Sequence, residues 1–173
     1  MISEKIIVGI DPGKKGAIAV LREDGSLIDL FDMPLERFEK LTGADVKIMA
    51  DKLARALVGK IGIVVLEYFH MRANSGNGYF SLGSSYRVAV GVAESLGFKV
   101  VSVRRQEWKK TLGVKGLDKQ RCYKLAVRLY PEAKITTGRR NKHGELGVKD
   151  GRVNSLLIAI YGMQMTGLGG SYE

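Results

Sequence analysis

The most constraining feature of the sequence is a short apolar run that ends in an acidic residue. Residues 61–67 read IGIVVLE. This composition is typical of a central strand that is buried on both faces of a sheet. A carboxylate is costly to bury inside such a strand, so Glu67 must emerge at the strand's C-terminal end or hold a cation. The run therefore predicts a layered sheet with an acidic residue at the edge where α/β proteins place their sites.

Three further strands are predicted ahead of this run. Residues 5–10 are rich in β-branched side chains and end in the turn DPG, and two short apolar runs follow at 17–21 and 27–31. The dipeptide Asp24-Gly25 between the last two runs is a hairpin signal. Together these segments predict an antiparallel opening of three strands.

The rest of the chain alternates between helical and strand patterns. The predicted helices cover 44–58, 80–96, 107–112, 118–130 and 150–165, and the predicted fifth strand covers 99–103. Residues 136–147 are rich in Gly, Lys and Arg without periodicity, which predicts a mobile loop. The fold class is thus α/β, a mixed five-stranded sheet flanked by helices. At 173 residues we expect one domain at 1–166 and a flexible tail at 167–173.

Basic charge is concentrated in one part of the sequence. The net charge is +10, and residues 99–142 hold 14 basic and three acidic residues, which is more than the whole excess. This concentration is typical of polyanion binders, although a solvated basic surface explains charge alone equally well. Trp108 is predicted to be a packing anchor for the basic residues around it. The predicted phosphate contacts are Arg104, Arg105, Lys109, Lys110, Lys115, Arg139, Arg140 and Lys142.

Composition excludes several other classes of protein. Apolar runs such as 156–160 are far shorter than the ~20 residues of a membrane helix, so we expect no membrane association. One cysteine, Cys122, allows neither an internal disulfide nor a cysteine-rich zinc site, and it fits a reducing compartment. The first residues lack the layout of a secretion signal, which predicts a cytoplasmic protein.

Four polar residues stand where a metal site can form. Asp11 follows the first strand, Glu67 ends the fourth, and Asp150 and Asn154 share one face at the start of the last helix. Alone, Asp11 reads as a turn residue and Asp150 as a helix cap. If the first and fourth strands are adjacent, however, these residues meet at one edge of the sheet. Oxygen ligands without cysteine suit Mg²⁺ or Mn²⁺ rather than zinc.

Four segments of the chain read GIDPGKKGAIAVL, VVLE, DKQRCYKLAVRLYP and KDGRVNSLLIAIYG. In this order and spacing they resemble the RuvC-like Holliday-junction resolvases, especially the short versions found in phages, over nearly the whole chain. The resemblance implies a ribonuclease-H-like fold and a crossover junction endodeoxyribonuclease that resolves branched DNA and leaves 5′-phosphate ends. It also implies two Mg²⁺ ions per site, with Mn²⁺ as a substitute, a homodimer, and a bacterial cell or phage-infected host.

The resemblance implies roles for individual residues. Asp11, Glu67 and Asp150 would be the metal-binding carboxylates, and Lys119 would stabilise charge on the cut phosphate, unless it is an ordinary exposed lysine. The chain departs from the family at Asn154, where an acidic residue is usual. Asn154 would then be a metal ligand without charge, which predicts an impaired site.

Two further features have both a functional and an ordinary reading. The resemblance implies that an aromatic residue just after Glu67, Phe69 or Tyr68, wedges into the junction centre, although aromatics in such places more often join the core. His70 is not needed as a metal ligand. The helix at 80–96 contains the small residues Gly83, Ala89, Gly91 and Ala93. The resemblance implies that this helix forms the dimer contact, and the ordinary alternative is that it packs against the sheet.

Three other functions compete with a junction resolvase. The motif GIDPG also resembles the first phosphate loop of actin-like sugar or acetate kinases, but those enzymes need two such domains. A non-catalytic protein of the same fold that binds branched DNA or RNA stays open because of Asn154. A nuclease that acts on RNA ends stays open because fold alone does not exclude it.

Overall fold

The computed structural model describes residues 4–13, 15–33, 43–68, 77–114, 116, 119–140 and 142–167. Within the helices, it leaves out the side chains of 43–46, 77–82 and 84. Several predicted features lie outside the described residues: Phe69, His70, Lys115 and all but the first residue of the tail.

Five strands form one mixed sheet in the order β3-β2-β1-β4-β5. They are β1 (Glu4–Asp11), β2 (Ala17–Arg22), β3 (Leu27–Asp32), β4 (Lys60–Glu67) and β5 (Lys99–Val103). The first three strands pair antiparallel, whereas β4 runs parallel to β1 and β5 runs parallel to β4. The predicted mixed sheet is therefore confirmed. Because Ile10 pairs with Leu66, the ends of β1 and β4 bring Asp11 and Glu67 to the same edge.

Helices cover both faces of the sheet. One apolar core joins the sheet to α1 (Gly43–Leu57) and α2 (Asn77–Ser95). The other core joins the opposite face to α3 (Arg105–Thr111), α4 (Lys119–Leu129) and α5 (Asp150–Met165). Within the described residues, no helix combines the length and the apolar character needed to cross a membrane.

Two glycines let α5 lie directly on the sheet. A Cβ atom at Gly9, inside β1, would overlap the backbone oxygen of Ser155, and one at Gly151 would overlap the backbone oxygen of Lys15. Glycine inside a strand often marks such a close backbone approach. The first turn of α5, which begins at Asp150, is thereby held against the turn that follows β1.

The run that predicted a fully buried strand is buried only in its second half. Val64, Val65 and Leu66 are fully buried, but Ile61 is 48% exposed. The reason is that β5 begins to pair with β4 only at Ile63, so the first residues of β4 lack a neighbour on that side. The prediction of burial on both faces was wrong for the start of the strand and holds at its carboxyl end.

The predicted mobile loop at 136–147 is a hairpin. The strands β6 (Thr136–Arg140) and β7 (Leu146–Val148) pair antiparallel as a separate two-stranded sheet. Most of their side chains are exposed, so the pairing depends on the backbone and leaves no hydrophobic period in the sequence. The hairpin places Arg139 and Arg140 on an ordered element.

Candidate active site

A cavity of about 300 Å³ opens where β1 ends. Three of the predicted metal ligands line it, Asp11, Asp150 and Asn154. Four basic side chains line the same cavity: Lys15, Arg105, Lys109 and Lys119. The topology thus brings together residues that are up to 143 positions apart, as in the pair of Asp11 and Asn154.

Asp11 is a buried carboxyl group, 8% exposed. The Asn154 Nδ2 atom donates a hydrogen bond of 2.9 Å to its Oδ2. Burial, and then the nearby charge of Glu67, raise the pKa of Asp11 to about 7, although the hydrogen bond from Asn154 acts in the opposite direction. A carboxylate held in this way is stabilised by any cation that enters the cavity.

Glu67 is also buried, 7% exposed, and both of its oxygens are engaged by α3. Arg105 donates to Oε1 through Nε at 2.9 Å and through Nη2 at 2.6 Å. The buried Trp108 donates to Oε2 through Nε1 at 2.9 Å. The hydrogen bond to Glu67 raises the pKa of Arg105 further. The cation that a buried glutamate requires is therefore an arginine of the chain itself.

Lys119 and Asp150 form an ion pair between the N-termini of α4 and α5. Each is the first residue of its helix, and the Lys119 Nζ lies 2.5 Å from the Asp150 Oδ2. The lysine side chain is 77% exposed and the aspartate side chain 43% exposed. Lys119 is thus exposed, as its ordinary reading expects, but it also stands at the site. Its role on the phosphate stays a prediction.

The predicted phosphate contacts divide into two groups. Arg104, Lys110, Arg139, Arg140 and Lys142 are exposed. The other two described members, Arg105 and Lys109, line the cavity, although the Arg105 side chain is also 53% exposed.

Lys109 lies 5.6 Å from the centre of the Trp108 ring, and Arg105 binds Glu67. Trp108 is fully buried, which confirms the predicted packing anchor. Its hydrogen bond to Glu67 was not predicted. The signal available in the sequence was only that Glu67 needs a cation, not which residue supplies it.

The aromatic residue that the structure describes after β4 is not in the core. Tyr68 is 42% exposed, and its ring meets that of Tyr86 edge to face, with centroids 6.4 Å apart. The expectation that such an aromatic joins the core is wrong for Tyr68. A wedge role for it stays a prediction.

The small residues of α2 do not form one continuous exposed surface. Ala89 and Ala93 are buried in the core between α2 and the sheet, where they serve packing within the chain. Gly91 is exposed, and a Cβ atom there would meet nothing within 4 Å. The two alanines therefore cannot form the predicted dimer contact, because they are already covered.

The donor set of the cavity combines carboxylate and amide oxygens. Among the described residues, no group of three or more His, Cys, Asp and Glu side chains is arranged to hold a metal ion. Of the four predicted ligands, Asn154 supplies an amide, and Glu67 is engaged by Arg105 and Trp108 of α3. Asp11, Asp150 and Asn154 nevertheless offer hard oxygen ligands in a common cavity, which is the chemistry that Mg²⁺ and Mn²⁺ prefer.

This mixed sheet, with helices on both faces, is the ribonuclease-H-like fold of RuvC, as the resemblance implied. The sequence itself matches no protein-family model and no curated protein. The similarity lies in the structure.

Three solved structures illustrate this similarity. RuvC of T. thermophilus in complex with a Holliday junction substrate superposes with a TM-score of 0.68 and 15% identity, over 94% of this chain and 96% of that one. A second Thermus thermophilus RuvC structure gives 0.62 and 15% identity, over 93% and 96%. The yeast mitochondrial Holliday junction resolvase Ydc2 gives 0.58 and 18% identity, over 96% and 80%.

Proposed function

We propose that this chain is a metal-dependent, structure-selective endonuclease that resolves four-way junctions or other branched DNA, a crossover junction endodeoxyribonuclease. One observation carries the proposal. The cavity at the end of β1 gathers Asp11, Asp150 and Asn154 beside Lys119. The fold supports the choice of substrate, because a RuvC structure of the same fold is a complex with a Holliday junction substrate.

The proposed reaction is hydrolysis of a phosphodiester bond. The oxygen of a water molecule adds to phosphorus, the P–O3′ bond breaks, and a proton goes to the O3′ atom. The products are a 5′-phosphate and a 3′-hydroxyl. A bound divalent cation, Mg²⁺ or in its place Mn²⁺, would supply a Lewis acid for the phosphate oxygens.

Each residue of the cavity would have a distinct role in this reaction. Asp11 and Asp150 would hold the cation with charged oxygens, and Asn154 with its Oδ1, since its Nδ2 already faces Asp11. Lys119 would contact the phosphate, where its ammonium group offsets the charge that develops on the oxygens. The resemblance also implies a second ion at this site and a direct role for Glu67 as a ligand.

DNA binding would depend on the exposed basic residues of α3 and of the β6–β7 hairpin. Such contacts to phosphates position the DNA without reading its sequence. A four-way junction has two-fold symmetry, so a homodimer would place one site on each of two opposed strands. The proposed location is the cytoplasm of a bacterial cell or a phage-infected host.

A panel of labelled substrates tests the proposal. A four-way junction, a linear duplex, a flap and an RNA of matched length are incubated with the chain in Mg²⁺, Mn²⁺ and EDTA. We expect paired nicks in the four-way junction, with metal only, and little cutting of the other three. Preferential cutting of RNA, or equal cutting of the duplex, would contradict the proposal. Asp11→Asn is the matched control, because its amide still accepts the hydrogen bond of Asn154 while losing the charge.

The second candidate is a non-catalytic protein of the same fold that binds branched DNA or RNA. Asn154 favours it, because the amide donates to Asp11 and brings no charge to the cavity. The same panel separates the two candidates. Tight binding of the junction in Ca²⁺, with no nick at any concentration of Mg²⁺ or Mn²⁺, would support the second.

A further inference from the structure

Glu67 differs from Asp150 because it is buried and the chain engages both of its oxygens, whereas Asp150 is partly exposed and pairs through Oδ2 with the exposed Lys119. Arg105 gives Oε1 two hydrogen bonds, and Trp108 gives Oε2 one. The indole cannot move aside easily, because Trp108 is fully buried in the core between α3, α4 and α5. A metal ion that coordinates Oε1 would have to break both bonds from Arg105 and would bring two positive charges close to its guanidinium group.

The charges around Glu67 do not favour a metal ion at this residue. Its carboxylate is already paired with the guanidinium of Arg105, and the indole of Trp108 donates to its other oxygen. Lys15, Lys109 and Lys119 also line the cavity. A second divalent ion at Glu67 would therefore add two positive charges beside four basic side chains.

We propose that Arg105 takes the place of a second metal ion at Glu67, so that the chain binds one divalent cation, at Asp11, Asp150 and Asn154. The inference rests on the proposed function for the nature of that cation. Arg105 lines the cavity together with Lys119, so the same guanidinium is placed to meet a phosphate there. Glu67 then acts as a positioning residue, because it orients Arg105 and does not bind the ion.

The stoichiometry of Mn²⁺ binding tests the proposal without any DNA. Free Mn²⁺ is counted by electron paramagnetic resonance while metal-free protein is titrated. We expect one bound ion per chain in the wild type and two in Arg105→Gln, in which the carboxylate of Glu67 is released. Arg105→Lys keeps a positive charge and should bind one ion. Arg128→Gln removes an arginine from the exposed surface of α4 and should also bind one.

The fluorescence of Trp108 gives a second readout. It is the sole tryptophan of the chain, and its indole contacts Glu67. Mn²⁺ is paramagnetic and quenches a fluorophore that lies next to it. Saturating Mn²⁺ should therefore quench Arg105→Gln at least twice as strongly as the wild type or Arg128→Gln.

Different outcomes would overturn the inference and the function on which it rests. The inference would be overturned by two bound ions in the wild type, or by a single bound ion with unchanged quenching in Arg105→Gln. In either case, cleavage of the four-way junction would still support the proposed function. If Arg105→Gln does not fold by circular dichroism, the count in the wild type and in Arg105→Lys decides. Failure of the wild type to bind any ion would overturn both.

Discussion

The side-chain amide of Asn154 donates a hydrogen bond to the carboxyl group of Asp11, and this contact joins the last helix to the end of the first strand. An acidic residue at 154, which is usual in the family that the sequence resembles, would instead place two carboxyl groups face to face. An amide satisfies the buried Asp11 in the absence of metal, but it offers a bound cation no charge. In the proposed metal site, the pair would therefore satisfy the buried carboxyl group without adding a negative charge for a cation.

Asn154→Asp should increase cleavage of a four-way junction at limiting Mg²⁺ by about tenfold or more. A fourth carboxylate tightens metal binding, and ~1.4 kcal/mol of added transition-state stabilisation already gives a factor of ten. The measurement is the single-turnover rate against Mg²⁺ concentration. Binding of the junction in Ca²⁺ should hardly change, because it depends on the basic surface. Equal rates at every metal concentration would mean that Asn154 is outside the metal shell.

The stability of the metal-free protein should fall as the pH rises towards neutrality. Asp11 keeps its proton up to about pH 7 in the folded chain, whereas the ordinary pKa of an aspartate is 3.8. Between these two pKa values the folded state binds one proton more than the unfolded state. The contribution of Asp11 to the free energy of unfolding therefore decreases by about 1.4 kcal/mol for each pH unit and is lost above the folded pKa.

Urea unfolding in EDTA across pH 4 to 8 measures this effect. In Asp11→Asn the contribution should disappear, and addition of Mg²⁺ should restore stability to the wild type at pH 8. A wild-type profile that matches that of Asp11→Asn throughout this range would contradict the assignment of the buried proton to Asp11.

The contribution of Asp32 to stability should have the opposite pH dependence, because the pKa of this carboxyl group is lowered. The hydrogen bond from Arg152, and then that from Lys149, hold this carboxylate at the start of α5. Its contribution is present above the ordinary pKa of 3.8 and is lost as the pH falls through the lowered value.

Asp32→Asn should therefore reduce the free energy of unfolding at pH 7 by about 1 kcal/mol, since the carboxylate is half exposed and such ion pairs are modest. The difference should shrink towards zero in strong acid. Asp29→Asn, in the same strand, is the control, because it removes an exposed charge that accepts a hydrogen bond from the backbone of Leu30. A deficit that persists unchanged at low pH would show that the amide disturbs packing instead.

The sheet and most of the site could be predicted because they depend on local patterns. The turn after the first strand and the apolar run that ends in Glu67 place two carboxylates at strand ends, and parallel pairing of neighbouring strands then brings them to one edge. The spacing of Asp150 and Asn154 puts both on one face of a helix. Each of these steps uses residues that are close in the sequence.

The contacts of Glu67 could not be predicted because they depend on how α3 is placed. Arg105 and Trp108 are 38 and 41 residues from Glu67, and their directions follow from the packing of a short helix. The sequence indicated only that a buried glutamate needs a cation.

The hairpin at 136–147 was missed for a different reason. Its side chains face solvent on both sides, so the sequence carries no period of two. Backbone pairing alone defines it. A basic hairpin and a basic loop are therefore alike in sequence, although in the hairpin Arg139 and Arg140 lie on a strand.

This hairpin should contribute directly to the electrostatic part of DNA binding. Arg139, Arg140 and Lys142 are exposed on it, and replacing all three by Gln removes up to three phosphate contacts. Each contact contributes ~0.9 to the slope of log affinity against log salt on duplex DNA, so the slope should fall by about 1 to 3. Affinity should decrease alike for junction and duplex, because phosphate contacts do not distinguish between them.

A triple variant on α1 provides the matched control for this last prediction. Replacing Lys47, Lys52 and Arg55 by Gln removes the same charge from exposed positions on the opposite face of the sheet from α5. Fluorescence anisotropy in Ca²⁺, across a series of salt concentrations, gives the slope for both variants. If the hairpin variant keeps the wild-type slope, or if the α1 variant loses as much, the hairpin is not part of the DNA-binding surface and general charge governs affinity.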